Sequence, residues 1–170
     1  INIYSASKEI DIESVNSFKK MKNDSYIIFP LIETQALLIS EDNSKGVYVR
    51  SYESEDINNK SFLKDKIVKG KIYSKNKSEI IIGYVLANRF NLEINDKVKI
   101  AIPKSDKTIF GNIPRFKTLI ISGIFNIGMF EYDSNFIFSD PNTTRKLLML
   151  NDQSFNQVEI ETNNPNDVNE

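Results

Sequence analysis

Hydrophobic and polar positions alternate most cleanly between Lys97 and Ile102, where Val98, Ile100 and Ile102 are interleaved with Lys97, Lys99 and Ala101. That period-two pattern predicts a strand with one buried face and one face in water. Pro103 ends it. A second strand is expected from Phe116 to Phe125, whose nearly continuous apolar and β-branched run predicts cover on both faces, with Pro114 at its approach. Between the two prolines lies KSDKTIFGNI, ten residues where hairpin connections normally have about two to five. Polar residues flank an apolar centre, Ile109-Phe110-Gly111. Two arrangements satisfy this pattern: the loop tucks Ile109 and Phe110 into the body, or it stands out as a hook whose apolar tip meets a partner.

The N-terminal stretch reads as β-α-β-β. Ile1 to Tyr4 alternates as a short strand, and Ile10 to Met21 predicts a helix with Ile12, Val15 and Phe18 on one stripe and Asp11 as N-cap. Tyr26 to Ile39 predicts one or two strands, with Pro30 at an edge or a bend. The turn Asp42 to Gly46 leads to a strand over Val47 to Tyr52, and the acidic stretch Glu53 to Asn59 marks a boundary. Phe62 to Val68 predicts a short helix, and Gly70 to Tyr73 and Glu79 to Ile82 predict strands. Gly83 to Phe90 predicts a helix closed by a left-handed Asn91. Asn126 to Met129 breaks the pattern, Asn135 to Phe138 resumes it, and Ser139 or Asp140 caps a helix with Pro141 in its first turn. Phe155 to Glu161 predicts the last strand. Strands in both hairpin and crossover arrangements give an α+β class with a mixed β-sheet and a few short helices.

Composition narrows the chemistry. The 170 residues contain neither cysteine nor histidine, which removes disulfides, thiol nucleophiles, imidazole bases and the usual zinc ligands together. Twenty-two basic residues against 23 acidic ones leave a net charge of −1, so no general attraction to nucleic acid is expected. No window reaches the roughly 18 to 20 apolar residues of a membrane-spanning helix. The chain opens at Ile1 and closes on ETNNPNDVNE, which reads as a segment of a longer protein.

No catalytic or metal-binding constellation emerges. Glu131 and Asp133 would share one face of a strand, and spacing of that kind does not separate two carboxylates across a cleft, so both are expected on a solvated face. Asp24, Glu33, Glu41 and Asp42 lack EF-hand spacing, and the six glycines form neither GxGxxG nor a P-loop. Phe125, Phe130, Tyr132, Phe136 and Phe138 are expected mainly in the core. Lys99 and Lys117 fall near the ends of the two arms, so some registers bring their ammonium groups close. That opposition is unfavourable unless an acidic partner approaches.

The run IIGYVLANRFNLEINDKVKIAIP, followed by a loop and NIPRFKTLIISGIFNIGMFEYDS, resembles the extracytoplasmic domain of lipoprotein-releasing ABC transporter permeases, the LolC/LolE family. The likeness is best from Ile80 to Leu150 and continues collinearly over Ile1 to Ser51. It implies a MacB-like periplasmic core, with a membrane-proximal Porter part at 1–52 with 156–170 and an inserted Sabre part at 53–155. It further implies transmembrane helices beyond both ends, a bacterial inner-membrane location with this segment on the periplasmic side, and no catalysis or cofactor here. ATP hydrolysis would belong to a separate ATPase subunit. The partners implied are a second permease subunit, identical or related, an acylated lipoprotein and a periplasmic chaperone of the LolA type. The hook would comprise Pro103, Lys104, Ser105, Asp106, Lys107, Thr108, Ile109, Phe110, Gly111, Asn112, Ile113 and Pro114. Lys99, Phe116 and Lys117 match a basic and polar pad at its base, although Phe116 replaces a polar residue. A MacB-like efflux or cell-division permease domain, docking a different partner, shares the core pattern.

Overall fold

The computed structural model describes residues 2–4, 9–20, 26–41, 43–60, 62–63, 65–102, 107–108, 111–112 and 114–162. In chain order the elements are β1 (Asn2–Tyr4), α1 (Ile12–Lys20), β2 (Tyr26–Ser40), β3 (Asn43–Ser51), α2 (Ser54–Asn58), β4 (Ile67–Gly70), β5 (Glu79–Gly83) and α3 (Tyr84–Phe90). They continue with β6 (Lys97–Ile102), β7 (Lys107–Thr108), β8 (Gly111–Asn112), β9 (Arg115–Phe125), α4 (Phe130–Asn135), β10 (Phe136–Ser139), α5 (Pro141–Leu148) and β11 (Gln157–Thr162). The sheet is mixed, with β3–β10 and β5–β9 parallel and the remaining pairs antiparallel, as the α+β expectation required.

Six strands close on themselves. β2 pairs with β3, β3 with β10, β10 with β5, β5 with β9, β9 with β6, and β6 returns to β2 through Leu37↔Ala101. The alternation of each strand sends one set of side chains into this ring: Ala36 and Leu38, Val47 and Val49, Ile80 and Ile82, Val98 and Ile100, Leu119 and Ile121, and Ile137 are all buried in one cluster. Leu86 and Ala87 of α3 and Leu147 of α5 complete it. Both helices have the local chemistry that the sequence anticipates. Asn91 closes α3 at φ 51°, and the Asp140 carboxylate accepts a hydrogen bond from the Asn142 amide at 2.9 Å, with Pro141 in the first turn.

Among the described residues, the outer face of the ring is covered on one side only. There Phe29, Leu31, Tyr52, Ile81, Phe125 and Phe138 pack under Ile57, Leu63 and Tyr73 of the 53–77 segment. The Tyr73 hydroxyl donates to the Tyr52 carbonyl at 2.8 Å, fixing that cover. A third cluster lies at the end of β2, where Val15 of α1 meets Ile28, Ile32, Val158 and Phe155. β2 therefore takes part in two packing units: residues 26–31 pair with β11, and residues 32–40 pair with β3. At Pro30, paired with Val158, β2 has β11 as its only paired neighbour among the described residues, a setting that tolerates a missing amide hydrogen.

Several local expectations need correction. Gly70 to Tyr73 is not a strand, since β4 spans Ile67–Gly70 and residues 71–74 carry none, and Asn43 to Gly46, expected in a turn, belong to β3. Phe62 to Val68 is not helical: Asp65 takes a positive φ of 58°, which ends the succession of turns begun at Lys60, and β4 starts at Ile67. Glu131 and Asp133 are on helix α4 rather than on a strand, and Asp133 is buried. Its carboxylate accepts hydrogen bonds from the Ile127 and Gly128 amides at 2.9 and 3.0 Å, holding the 126–129 break closed against the helix. Finally, β9 is enclosed on both faces only from Ile121 to Phe125; Phe116, Thr118 and Ile120 are exposed because nothing described covers that part of the outer face. Among the aromatic residues, Phe125 and Phe138 are fully buried, Tyr132 and Phe136 are half-buried, and Phe130 is exposed.

Candidate docking face

β6 and β9 run antiparallel with Ile102 opposite Arg115, Ala101 opposite Phe116, Ile100 opposite Lys117 and Lys99 opposite Thr118. This register separates the two lysines. Lys99 and Phe116 lie on the outer face, where the Lys99 ammonium sits 5.0 Å from the centre of the Phe116 ring. Phe116 is 60% exposed, so the pair offers a cation and an aromatic face to solvent. Lys117 alternates to the opposite face, opposite the ring-facing Ile100. Desolvation there depresses its pKa, the nearby Lys146 ammonium depresses it further, and Asp140 acts in the other direction. The three pad residues therefore divide into an outer pair and one half-buried lysine near α5.

Beyond Ile102 the chain does not simply extend the large sheet. Lys107 pairs with Asn112 and Thr108 with Gly111 in a separate two-stranded antiparallel unit, leaving 109–110 as its connection. The long loop thus contains its own miniature hairpin, whose two-residue connection is the commonest length. Pro103, Lys104, Ser105, Asp106, Ile109, Phe110 and Ile113 lie outside the described residues. Pro114, at the foot of the hairpin, is exposed.

Next to this foot the uncovered outer face forms a groove of about 770 Å³. Its floor is one transverse row across four strands: Gly46 of β3, Leu37 of β2, Ala101 of β6 and Phe116 of β9. Ile39 and Lys99 lie in the adjacent row, and Tyr48 forms the far wall. Tyr48 is held by stacking on Phe136 at 5.3 Å, and Phe136 in turn stacks on Tyr132 at 4.6 Å. Leu37 and Tyr48 are 38% and 39% exposed, large values for apolar side chains in the middle of a sheet. Sequence patterning missed this groove, although a signal existed. Ala36-Leu37-Leu38-Ile39 is apolar at consecutive positions, which places apolar groups on the outer as well as the inner face of β2.

Among the described residues, no helix is long and apolar enough to cross a membrane and no group of acidic side chains is gathered as a metal site.

No family model matches the chain. It is 27% identical over 123 residues to the lipoprotein-releasing system transmembrane protein LolC of Xylella fastidiosa, in strain Temecula1 and equally in strain 9a5c, a match covering 71% of this chain. The aligned region spans only about 30% of the length of those curated relatives. Among solved structures, the chain superposes on the extracellular domain of the noncanonic ABC-type transporter YknZ from Gram-positive bacteria with a TM-score of 0.64, at 11% identity, covering 97% of this chain and 83% of that one. The periplasmic region of MacB from Actinobacillus actinomycetemcomitans gives 0.60 at 9% identity, covering 96% and 67%. In fold this chain is similar to the extracellular domain of YknZ and the periplasmic region of MacB, and in sequence it is similar to LolC.

Proposed function

We propose that the chain is the non-catalytic periplasmic domain of an inner-membrane ABC permease that extracts acylated lipoproteins and passes them to a LolA-type chaperone. In this reading ATP is hydrolysed by a separate cytoplasmic subunit, and the permease works with a second copy or a related permease. The observations that carry the reading are the self-pairing of β7 with β8, between β6 and β9 in the chain, and the exposed Lys99–Phe116 couple on the β6–β9 pair. Ile109 and Phe110, at the hairpin connection, would supply apolar anchor area, and Lys99 on the exposed outer face would orient an acidic rim of the chaperone, with Lys117 set apart from it on the opposite face. The antiparallel pairing of Asn2 with Glu159 brings the first and last strands together, which suits a domain inserted between two membrane segments. Within it, 1–52 with 156–170 would be the membrane-proximal Porter part and 53–155 the inserted Sabre part.

A second reading has its own support. The likenesses to YknZ and MacB span nearly the whole chain, which supports the periplasmic domain of a MacB-like or cell-division permease docking another partner protein. Capture of purified LolA-type chaperone by the intact permease separates the two. Phe110→Asp is expected to reduce capture by more than tenfold at unchanged permease abundance, because a charge replaces a central aromatic anchor. Capture within threefold of the parent protein would overturn the hook assignment, and no capture by the parent protein would favour the second reading.

A further inference from the structure

We infer that the groove on the outer face of β3, β2, β6 and β9 is a binding site for one acyl chain of the lipoprotein cargo, held beside the chaperone dock. The source of the chain rests on the hand-off reading above; the chemistry of the occupant follows from the groove itself.

The floor cannot pair with a peptide backbone. β2 is hydrogen-bonded on both sides where it crosses the groove, to β3 through Leu37↔Gly46 and to β6 through Leu37↔Ala101, and β6 is likewise held between β2 and β9. An added strand would find its backbone groups unmatched there. What the floor does offer is hydrocarbon and ring surface from Leu37, Ile39, Ala101 and Phe116. Among the described lining residues, one is charged, and it stands at the edge: Lys99. A long apolar surface with a single ammonium at its rim complements an amphiphile whose body is hydrocarbon and whose end is an ester carbonyl or a carboxylate. The groove volume is in the range of sites for single small ligands.

Gly46 gives the occupant its room. A Cβ built at that position meets no atom within 4 Å, and its φ is not positive, so a side chain there enters the open groove without strain on the domain. Tyr48, fixed by the aromatic stack, forms a rigid wall beside this gap. The groove ends at Pro114 and Phe116, the foot of the hairpin, so a chain lying in it would be delivered at the point where the chaperone is expected to engage.

The test uses the 170-residue chain and two probes: cis-parinaric acid, read by its fluorescence, and a dansyl-labelled diacylglyceryl-cysteinyl peptide kept below its micelle concentration. Both should bind saturably and compete with each other. Gly46→Trp, which fills the groove, should weaken both by more than tenfold while circular dichroism and melting stay as in Gly46→Ala. Lys99→Glu should weaken parinarate and favour dodecyltrimethylammonium. Undiminished probe binding by Gly46→Trp would overturn the site, as would the absence of saturable binding to the parent chain. Binding of parinarate without the lipopeptide would overturn the cargo assignment. A concentration-dependent dimer abolished by Gly46→Trp would assign the face to a second copy instead. Chaperone capture by the intact permease is measured separately with Phe110→Asp, so loss of the groove proposal leaves the docking proposal standing, and the reverse.

Discussion

Replacing Gly83 by alanine should be among the most damaging single-methyl changes in this domain, lowering stability by about 3 kcal/mol in chemical denaturation. Gly83 ends β5 and precedes α3, and a Cβ there would stand 2.2 Å from the carbonyl oxygen of Asp133 and 2.6 Å from its Cα. Those are backbone atoms, so relief requires α4 to move as a unit. α4 is not free to do so, because the buried Asp133 carboxylate is already tied to the Ile127 and Gly128 amides. The added methyl therefore works against both the packing of α3 on α4 and the hydrogen bonds that close the 126–129 break. Gly46→Ala is the internal control. Its Cβ meets nothing, and the expected change is within about 0.5 kcal/mol.

Lys60→Ala should cost about 3–5 kcal/mol, the range for removing one partner of a buried ion pair. The Lys60 side chain is fully buried just beyond α2, with its ammonium 2.8 Å from a carboxylate oxygen of Glu159 and 2.8 Å from one of Glu161. It also lies 3.9 Å from the centre of the Phe29 ring and 4.9 Å from that of Tyr52. Removing it leaves two neighbouring carboxylates on one face of β11 without this ammonium between them. Lys60→Met, which fills the space without the charge, should still lose much of that stability for the same reason. The cluster also sets a pH dependence. Burial opposes ionisation of Glu159, but hydrogen bonds from Lys60 and from the Tyr52 hydroxyl, together with the Lys60 charge, prevail and hold its pKa below the ordinary carboxylate value. Because the folded value is the lower one, this stabilisation is fully present above the unfolded-state pKa of about 4.3. It is lost as pH falls through the folded value. Urea midpoints should therefore decline in moderately acidic buffer, and Glu159→Gln should flatten that decline.

The elements legible in the sequence were those governed by local chemistry. The 97–102 strand, the left-handed close at Asn91 and the Asp140-Pro141 helix start each depend on a few neighbouring residues, and all three are present. Features set by distant neighbours were not legible in the same way. Asp133 looks like a surface carboxylate until the amides of Ile127 and Gly128 are seen pointing at it. Phe62 to Val68 has helix-like composition, but the backbone reverses sign at Asp65. The cover on β9 depends on how far the 53–77 segment reaches across the ring, and it stops short of Phe116. Closure of the six strands joins residues as far apart as Leu37 and Ala101, a relation no periodicity encodes. For the candidate site, alternation placed Lys99 on the wet face, whereas only the register showed that it joins Phe116 and leaves Lys117 on the other side. The groove required both the ring and its incomplete cover.

The claim that this domain docks a partner through the hairpin and its foot is tested most directly by photocrosslinking in the intact permease. A benzophenone amino acid would be placed in turn at Phe110, at Phe116 and at Val68, which is 52% exposed on β4, the strand paired with the other end of β9 at Gly123, Ile124 and Phe125. With purified LolA-type chaperone, crosslinks are expected from positions 110 and 116 and not from 68. A chaperone crosslink from 68 with none from 110 or 116 would contradict the assignment.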